Sequence, residues 1–383
     1  MKILMLTTPI PKHLEKIFPE RRIHLGVAYI VSMLEREGYD VDFIDFHILR
    51  KPLPDILKLK YDYVGIHSTT VCFSETLKIL ERLRRFRKKG WNGKIIVGGP
   101  HTSVRLESIP DFVDYIVQGE GEYAVKDIIE EKVKSRVVHY PRINNLDELP
   151  RPAYHHFKKL PTCSWDYKML GVKPIVTMNT SRGCPFACTF CSVPSIWGKK
   201  YTYHSAERIV EDIEYLMKNF NAKGIFFRED NFTLNKKRVF EFCNLILKKG
   251  IKIKWMCESR VDTLSYEMLS LMKRSGCELI YIGVEAGTQR LLDILKKGIT
   301  IEQVKKVCEL CHKIGIKIHT SFLTNIPHET PLDRKKISEL IKEIKPTSFR
   351  INLYRAEPGS ELYNYIMKNK LYKGISKEGI LEL

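Results

Sequence analysis

Three cysteines fall in one short stretch, Arg182-Gly183-Cys184-Pro185-Phe186-Ala187-Cys188-Thr189-Phe190-Cys191. The C-x3-C-x2-C spacing lets three thiolates converge on one point from an irregular segment. Thiolates are soft ligands, suited to iron–sulfur clusters, zinc or Cu(I). Three protein ligands leave one metal position open, where a substrate or cofactor can bind. A closed zinc site wants a fourth Cys or His, and the first His downstream is His204. A structural zinc loop and three unrelated core cysteines are the competing readings.

Polar and glycine-rich segments recur beside apolar runs on both sides of this loop. C-terminal to it stand Glu229-Asp230-Asn231, Ser259-Arg260, Glu285, Thr324-Asn325 and Tyr354-Arg355. Carboxylates accept hydrogen bonds from an ammonium or a hydroxyl, and Arg pairs with a carboxylate. N-terminal to it stand Thr8-Pro9, Leu25-Gly26, Ser68-Thr69-Thr70, Gly98-Gly99-Pro100-His101 and Gly119-Glu120-Gly121-Glu122. Glycine permits close backbone approach to a ligand. No G-x-G-x-x-G follows the first apolar run, so a dinucleotide site is not supported.

The elements that must position these groups alternate strand and helix. Around and after the cysteines, strands are expected at 174–179, 224–229, 253–258, 279–285, 316–323 and 348–354. Helices are expected near 205–219, 235–248, 265–275, 288–296, 301–314 and 331–344. In such β/α barrels the active groups sit at the C-terminal ends of the strands. Upstream, apolar runs at 2–8, 41–46, 63–70, 94–101 and 115–122 alternate with helical patterns. That spacing means a parallel sheet covered on both faces, with ligands at its carboxyl edge. Residues 131–171 lose this periodicity and hold Pro141, Pro150, Pro152 and Pro161, so the boundary falls there. Cys308 and Cys311 share a helical face with Val304 and Val307, which favours core packing over redox chemistry.

The cysteine spacing, with Phe190 before the last Cys, resembles the signature of the radical S-adenosylmethionine (SAM) enzymes. The resemblance implies that Cys184, Cys188 and Cys191 hold a [4Fe–4S] cluster whose open iron binds SAM, and that SAM is cleaved to a 5′-deoxyadenosyl radical. It places SAM contacts at Phe190, Glu229, Asp230, Asn231, Ser259, Arg260, Glu285, Thr324 and Asn325, and substrate-facing catalytic groups at Tyr354 and Arg355. Asn325 and His328 stand where the family's adenine turn carries glycines, and both residue types tolerate positive φ. The order of the upstream segments is similar to the cobalamin-binding domain of one radical SAM class. It implies that Thr8, Pro9, Leu25, Gly26, Ser68, Thr69, Thr70, Gly98, Gly99, Pro100, His101, Gly119, Glu120, Gly121 and Glu122 surround the corrin and its nucleotide tail. The D-x-H-x-x-G motif, whose His ligates cobalt from below, is absent. His13, His24 and His67 therefore read as solvated or core imidazoles, and the lower face of the cobalt is unassigned.

The expected fold class is α/β. An N-terminal doubly wound, Rossmann-like cobalamin-binding domain (1–135) leads through a linker (136–171) to a partial (β/α)6 radical SAM barrel (172–355) and a short C-terminal segment (356–383). The expected activity is that of a cobalamin-dependent radical SAM C-methyltransferase acting on an sp3 carbon of a protein side chain or an anionic molecule. A ferredoxin- or flavodoxin-like reductant is the expected partner. No second cysteine triad stands upstream, which argues against a methylthiotransferase. The alternatives are a radical rearrangement or cyclisation, and a non-catalytic iron–sulfur or zinc sensor.

Composition bounds these readings. The chain has 383 residues, enough for two cores. No apolar run reaches the ~18 residues of a membrane span. The first apolar run lacks a charged leader and reads as a strand. Ten cysteines without an export signal point to the reducing cytoplasm. The net charge of +19 is spread over helix faces such as Arg84-Arg85-Phe86-Arg87-Lys88-Lys89. No nucleic-acid-binding motif accompanies it.

Overall fold

The computed structural model describes residues 1–15, 21–48, 60–376 and 379–382. The first sheet holds β1 (Lys2–Thr7), β2 (Asp40–Ile44), β3 (Tyr63–His67), β4 (Lys94–Gly98), β5 (Tyr115–Gln118) and β6 (Val137–His139), in the spatial order β2-β1-β3-β4-β5-β6. Every neighbouring pair is parallel. Ile3, Leu4, Met5 and Leu6 are all buried, as expected of a strand covered on both faces. Ile3 and Met5 pack with helices Leu25–Arg36 and Glu122–Ile129, while Leu4 and Leu6 pack with helix Phe73–Lys88. The strand order reverses between β1 and β3, and ligands of such sheets bind outside the carboxyl ends at that reversal. The register there sets Thr7 beside His67 and His67 beside Gly98.

The second sheet begins with β7 (Ile175–Met178). An antiparallel pair, β8 (Ser181–Arg182) with β9 (Thr202–Tyr203), then brackets the cysteine loop. The sheet continues through β10 (Gly224–Phe227), β11 (Lys254–Ser259), β12 (Cys277–Glu285), β13 (Lys317–Thr324) and β14 (Ser348–Leu353), in the order β14-β13-β12-β11-β10-β7, all parallel. Observed strand and helix bounds fall within two residues of those expected for this half. Helices start where a side chain can cap them: Thr300 and Thr330 form capping boxes with Gln303 and Asp333.

A strand and an α-helix lie in the stretch read as a linker. Strand β6 pairs with β5 and carries the first sheet on to His139. Helix Ser164–Leu170 packs Met169 and Leu170 against Phe226, Met256 and Leu279 inside the second sheet. Lys254 and Lys317, at strand starts, donate to the carbonyls of Leu170 (3.2 Å) and Met169 (2.6 Å). The helix thus closes the N-terminal end of the barrel. The opposite, carboxyl end stays open towards the first sheet. Edge strand β14 leaves Phe349, Ile351 and Leu353 exposed on one face. Among the described residues, no helix is long and apolar enough to cross a membrane.

Candidate active site

Charges from both halves meet across one seam. Arg182 of β8 reaches Glu122 (2.6 Å) and Glu120 (3.2 Å), and Arg142 reaches Glu120 (2.9 Å). Both carboxylates are 3% exposed, so these are buried pairs. The sequence reading gave Glu120 and Glu122 to the corrin; the structure commits both carboxylates to the second half of the chain. Close by, His204 is held through both ring nitrogens, by Asp147 (3.0 Å) and the Tyr29 hydroxyl (3.1 Å). That occupancy removes His204 as a fourth metal ligand.

This seam borders a cavity of about 730 Å3 between the carboxyl ends of the two sheets. The first half contributes His24, Leu25, Gly26, His47, His67, Thr69, Gly98, Gly99, Pro100 and the run Gly119 to Glu122. The second contributes Thr177, Asn179, Arg228, Glu229, Asp230, Glu258 and Arg350. Gly99 has φ 104°, and a Cβ there would lie 2.6 Å from the Ser68 carbonyl oxygen. Only glycine lets the backbone turn this tightly at the cavity wall. The remaining residues expected at this edge support the wall from behind. Thr8 donates to the His67 carbonyl (3.2 Å), Ser68 bonds Thr76 (2.8 Å), and Thr70 bonds the buried His101 (3.1 Å). Pro9 is half-buried in the same loop.

The cysteine loop sits at the carboxyl end of the barrel. Cys184, Cys188 and Cys191 are unpaired and half-buried, whereas the other seven cysteines are buried. The loop is pinned at Thr189, whose N–H donates to the Leu295 carbonyl (2.9 Å) and whose carbonyl accepts from Leu362 (2.7 Å). Gly183, with φ 86°, precedes the first Cys; a Cβ there would strike the Lys200 carbonyl at 2.2 Å. Arg260 lies 3.7 Å from the Phe186 ring centroid and brings a guanidinium nitrogen to 3.6 Å from Cys188 Sγ. Burial raises the Cys184 thiol, with the Arg260 charge pulling the other way, and pushes the Cys191 thiol up to about 11, so a metal ion must displace these protons. This donor set fits a thiolate-bound cluster with one position left to another ligand. Cys163 precedes the helix at the closed end of the barrel and cannot join it.

The strand-end residues divide into committed and available groups. Glu229, 4% exposed, accepts from Thr180 N (2.6 Å), Thr180 Oγ1 and Arg238 (3.1 Å). The sequence reading gave Glu229 and Asp230 the same role, but Glu229 is occupied by protein donors. Asp230 remains, facing the cavity, with burial and the Glu229 charge raising its carboxyl to about 6. Asn231 is fully buried, and its Nδ2 has no partner, an unmet donor next to the site. Ser259 belongs to a buried hydroxyl group with Thr233 and Thr263. Arg260 is held by Asp262 (2.9 Å) and the Lys297 carbonyl (2.6 Å). Glu285 pairs with Lys297 (2.8 Å), whose Nζ also lies 5.8 Å from the Phe190 ring. Thr324 and the Asn325 N–H both bond Glu329. Asn325 and His328 do have positive φ, 66° and 68°. Tyr354 is buried, with its hydroxyl 3.4 Å from Ser360 Oγ, and Arg355 is exposed. Neither lines the cavity.

Sequence reasoning missed three contributors. Glu258 and Arg350 line the cavity from β11 and β14, and burial raises the Glu258 carboxyl to about 7. Arg182 lies two residues before the first cysteine, where only the metal motif drew notice.

Known proteins share these features. Residues 178–341 match the Radical SAM superfamily, and residues 21–129 match the B12 binding domain. The chain is 31% identical to an uncharacterised methyltransferase of Pyrococcus horikoshii, across 97% of this chain and 84% of that one. It is 25% identical to an anaerobic magnesium-protoporphyrin IX monomethyl ester cyclase of Rubrivivax gelatinosus, across 88% of this chain and 65% of that one. The radical S-adenosylmethionine methyltransferase TsrM of Kitasatospora setae, solved with cobalamin and a [4Fe–4S] cluster bound, has the same fold. It superposes with a TM-score of 0.76 at 16% identity, covering 96% of this chain and 75% of that one.

Proposed function

The chain belongs to the cobalamin-dependent radical SAM methyltransferase family, and from that premise we propose that it methylates an sp3 carbon of a protein side chain presented at the interdomain cavity. The observation that carries the proposal is the cavity itself. The carboxyl edge of the first sheet and that of the second open into one chamber of about 730 Å3.

In this reading Cys184, Cys188 and Cys191 hold the [4Fe–4S] cluster, Asp230 accepts from the amino group of SAM, and the unmet Asn231 Nδ2 donates to its carboxylate. The backbone at Gly98, Gly99, Gly119 and Gly121 lies against cobalamin. When bound, the cluster with SAM supplies hydrogen-atom abstraction, and cobalamin supplies the methyl group. The protein's own part is positioning and exclusion of water. The buried Arg182–Glu120–Glu122 group fixes the two halves against each other. Arg260 holds positive charge beside Cys188. Burial raises the Glu258 carboxyl to about 7, and in its protonated form it can donate a hydrogen bond to the acceptor. The exposed apolar face of β14 lies on the same strand as Arg350 of the cavity, and such strips suit a macromolecular partner. The net charge of +19 suits an acidic electron donor of ferredoxin or flavodoxin type. All ten cysteines are unpaired, as the reducing cytoplasm would keep them.

The test is an anaerobic incubation with a reductant, cobalamin, methyl-deuterated SAM and a protein extract, followed by peptide mass spectrometry. The proposal expects 5′-deoxyadenosine together with a deuterated methyl on an aliphatic side-chain carbon. The likeness to the Rubrivivax cyclase favours one other reading, a radical cyclisation. That reading is adopted instead if 5′-deoxyadenosine forms while no deuterium is transferred to any acceptor.

A further inference from the structure

Away from the cavity, two adjacent histidines turn to one carboxylate. His155 and His156 end the short helical turn Tyr154–His156, in the stretch that crosses from the first sheet to the second. Glu35 stands in the last turn of helix Leu25–Arg36, which packs on the first sheet. His156 Nε2 lies 2.6 Å from Glu35 Oε1, and His155 Nε2 lies 3.0 Å from Glu35 Oε2. One donor atom from each of the three side chains lies within 4.8 Å of the other two. The backbone holds them there without help from the side chains. The Ala153 N–H donates to the Ala28 carbonyl (3.0 Å), and Arg36 donates to the Glu148 carbonyl (2.9 Å), so the crossing segment is tied twice to the helix that carries Glu35. The His156 ring meets Phe43 of β2 edge-on, with centroids 6.0 Å apart, which fixes its plane. The two imidazole centroids are 4.8 Å apart, and the single Glu35 charge can balance only one of them as a cation.

We propose that Glu35, His155 and His156 bind a divalent transition-metal ion, zinc by the chemistry of the donors, which fastens the crossing segment to the first half of the chain. Two neutral imidazoles and a carboxylate are a donor set that zinc takes, and imidazole is the commonest protein ligand for such ions. With bonds of about 2.0–2.1 Å, a tetrahedral ion sets its ligand atoms ~3.3–3.4 Å apart. The contacts of 2.6 and 3.0 Å therefore need to open by less than ~1 Å to admit it. The His155 side chain is 53% exposed and free to rotate by that much. Both rings then turn an Nε2 lone pair to the ion and carry their proton on Nδ1. The fourth position falls to water, which reaches His155 from a cleft it shares with Ser32, Arg151 and Glu211. None of the three ligands lines the interdomain cavity, so the site is structural and independent of the proposed reaction.

The experiment uses the full chain carrying Cys184→Ser, Cys188→Ser and Cys191→Ser together, so that the thiolate loop cannot take the metal. The protein is dialysed against zinc chloride and gel filtered, and metal is counted by mass spectrometry. The proposal expects one zinc per chain and a higher Tm with zinc than with a chelator. Adding Glu35→Gln, His155→Ala or the pair His155→Ala/His156→Ala should remove both the zinc and the gain in Tm, with the far-ultraviolet circular dichroism unchanged. His155 is exposed, so its single variant decides the matter even if the pair fails to fold. Cobalt(II) in place of zinc should give visible absorption without a thiolate charge-transfer band. Failure to retain zinc overturns the proposal. So does zinc retained undiminished in His155→Ala and Glu35→Gln, or a thiolate band with cobalt(II), which would assign the ion to one of the core cysteines.

Discussion

Replacing Arg182 by Met tests whether the seam between the two halves is held by buried charge. In the native protein Glu122 is 3% exposed, and its recorded ion pair is with Arg182. Glu120 would keep Arg142 at 2.9 Å. The substitution therefore strands one carboxylate in a dry interface and leaves the other paired. Breaking a buried pair from one side costs about 3–5 kcal/mol. With only one carboxylate orphaned, the lower end of that range applies. Met keeps most of the side-chain volume but forfeits the guanidinium lying 5.2 Å from the Tyr29 ring centroid, worth about 0.5–1 kcal/mol. The sum is a loss of about 3–4 kcal/mol, more than a hundredfold in the folded-to-unfolded ratio. The assay is urea unfolding of the cofactor-free chain, followed by tryptophan fluorescence. The double variant Arg182→Met/Glu122→Gln should recover most of the loss, because the orphaned charge is gone. A single variant that loses under about 1 kcal/mol, or a double variant no better than the single, would refute the reasoning.

Further predictions follow from the same geometry. Burial holds the Glu258 carboxyl at about 7, above the value of about 4.3 expected when unfolded. The folded state thus keeps a proton that the unfolded chain has released, and stability falls as pH rises from about 4.3 to about 7. Glu258→Gln should flatten that slope, gaining stability at about pH 8 and none at about pH 4; equal slopes in urea titrations of the two proteins would contradict this. Cys184→Ser, Cys188→Ser and Cys191→Ser should each abolish iron–sulfur absorbance after reconstitution. Each should shift unfolding by less than ~1 kcal/mol, since these side chains are half-exposed. Cys243→Ser, in the core, should do the reverse, keeping the cluster while losing ~1–3 kcal/mol to a buried hydroxyl. Gly99→Ala sets a Cβ 2.6 Å from the Ser68 carbonyl at φ 104° and should cost ~1–3 kcal/mol. It should also weaken corrinoid retention on gel filtration, while leaving iron–sulfur absorbance unchanged.

The strands of the barrel were legible because each is a buried apolar run ending in polar residues, and the helices because caps such as Thr300 and Thr330 mark their starts. The cysteine loop drew notice because three thiols in one segment have few uses other than holding a metal. Strand β6 was hidden: three residues give no periodicity, and a charged run ending at Arg136 precedes them. The pairing of Glu229 was hidden because its partner, Arg238, lies on the following helix and returns to it only in three dimensions. The packing of Tyr354 beside Ser360 was likewise not legible from its place at a strand end. His24, His47 and His67 are lone histidines in the sequence. Only the parallel register, which lines up three loop ends, makes them one group.

The account's central claim is that one chain holds both a thiolate-bound cluster and a corrinoid. Anaerobic reconstitution with iron, sulfide and hydroxocobalamin, then gel filtration with metal analysis and a visible spectrum of the protein peak, tests it directly. The account predicts one [4Fe–4S] cluster and one corrinoid per chain, with the cluster lost and the corrinoid kept in Cys188→Ser. A peak that carries the cluster but no corrinoid, or neither, would contradict it.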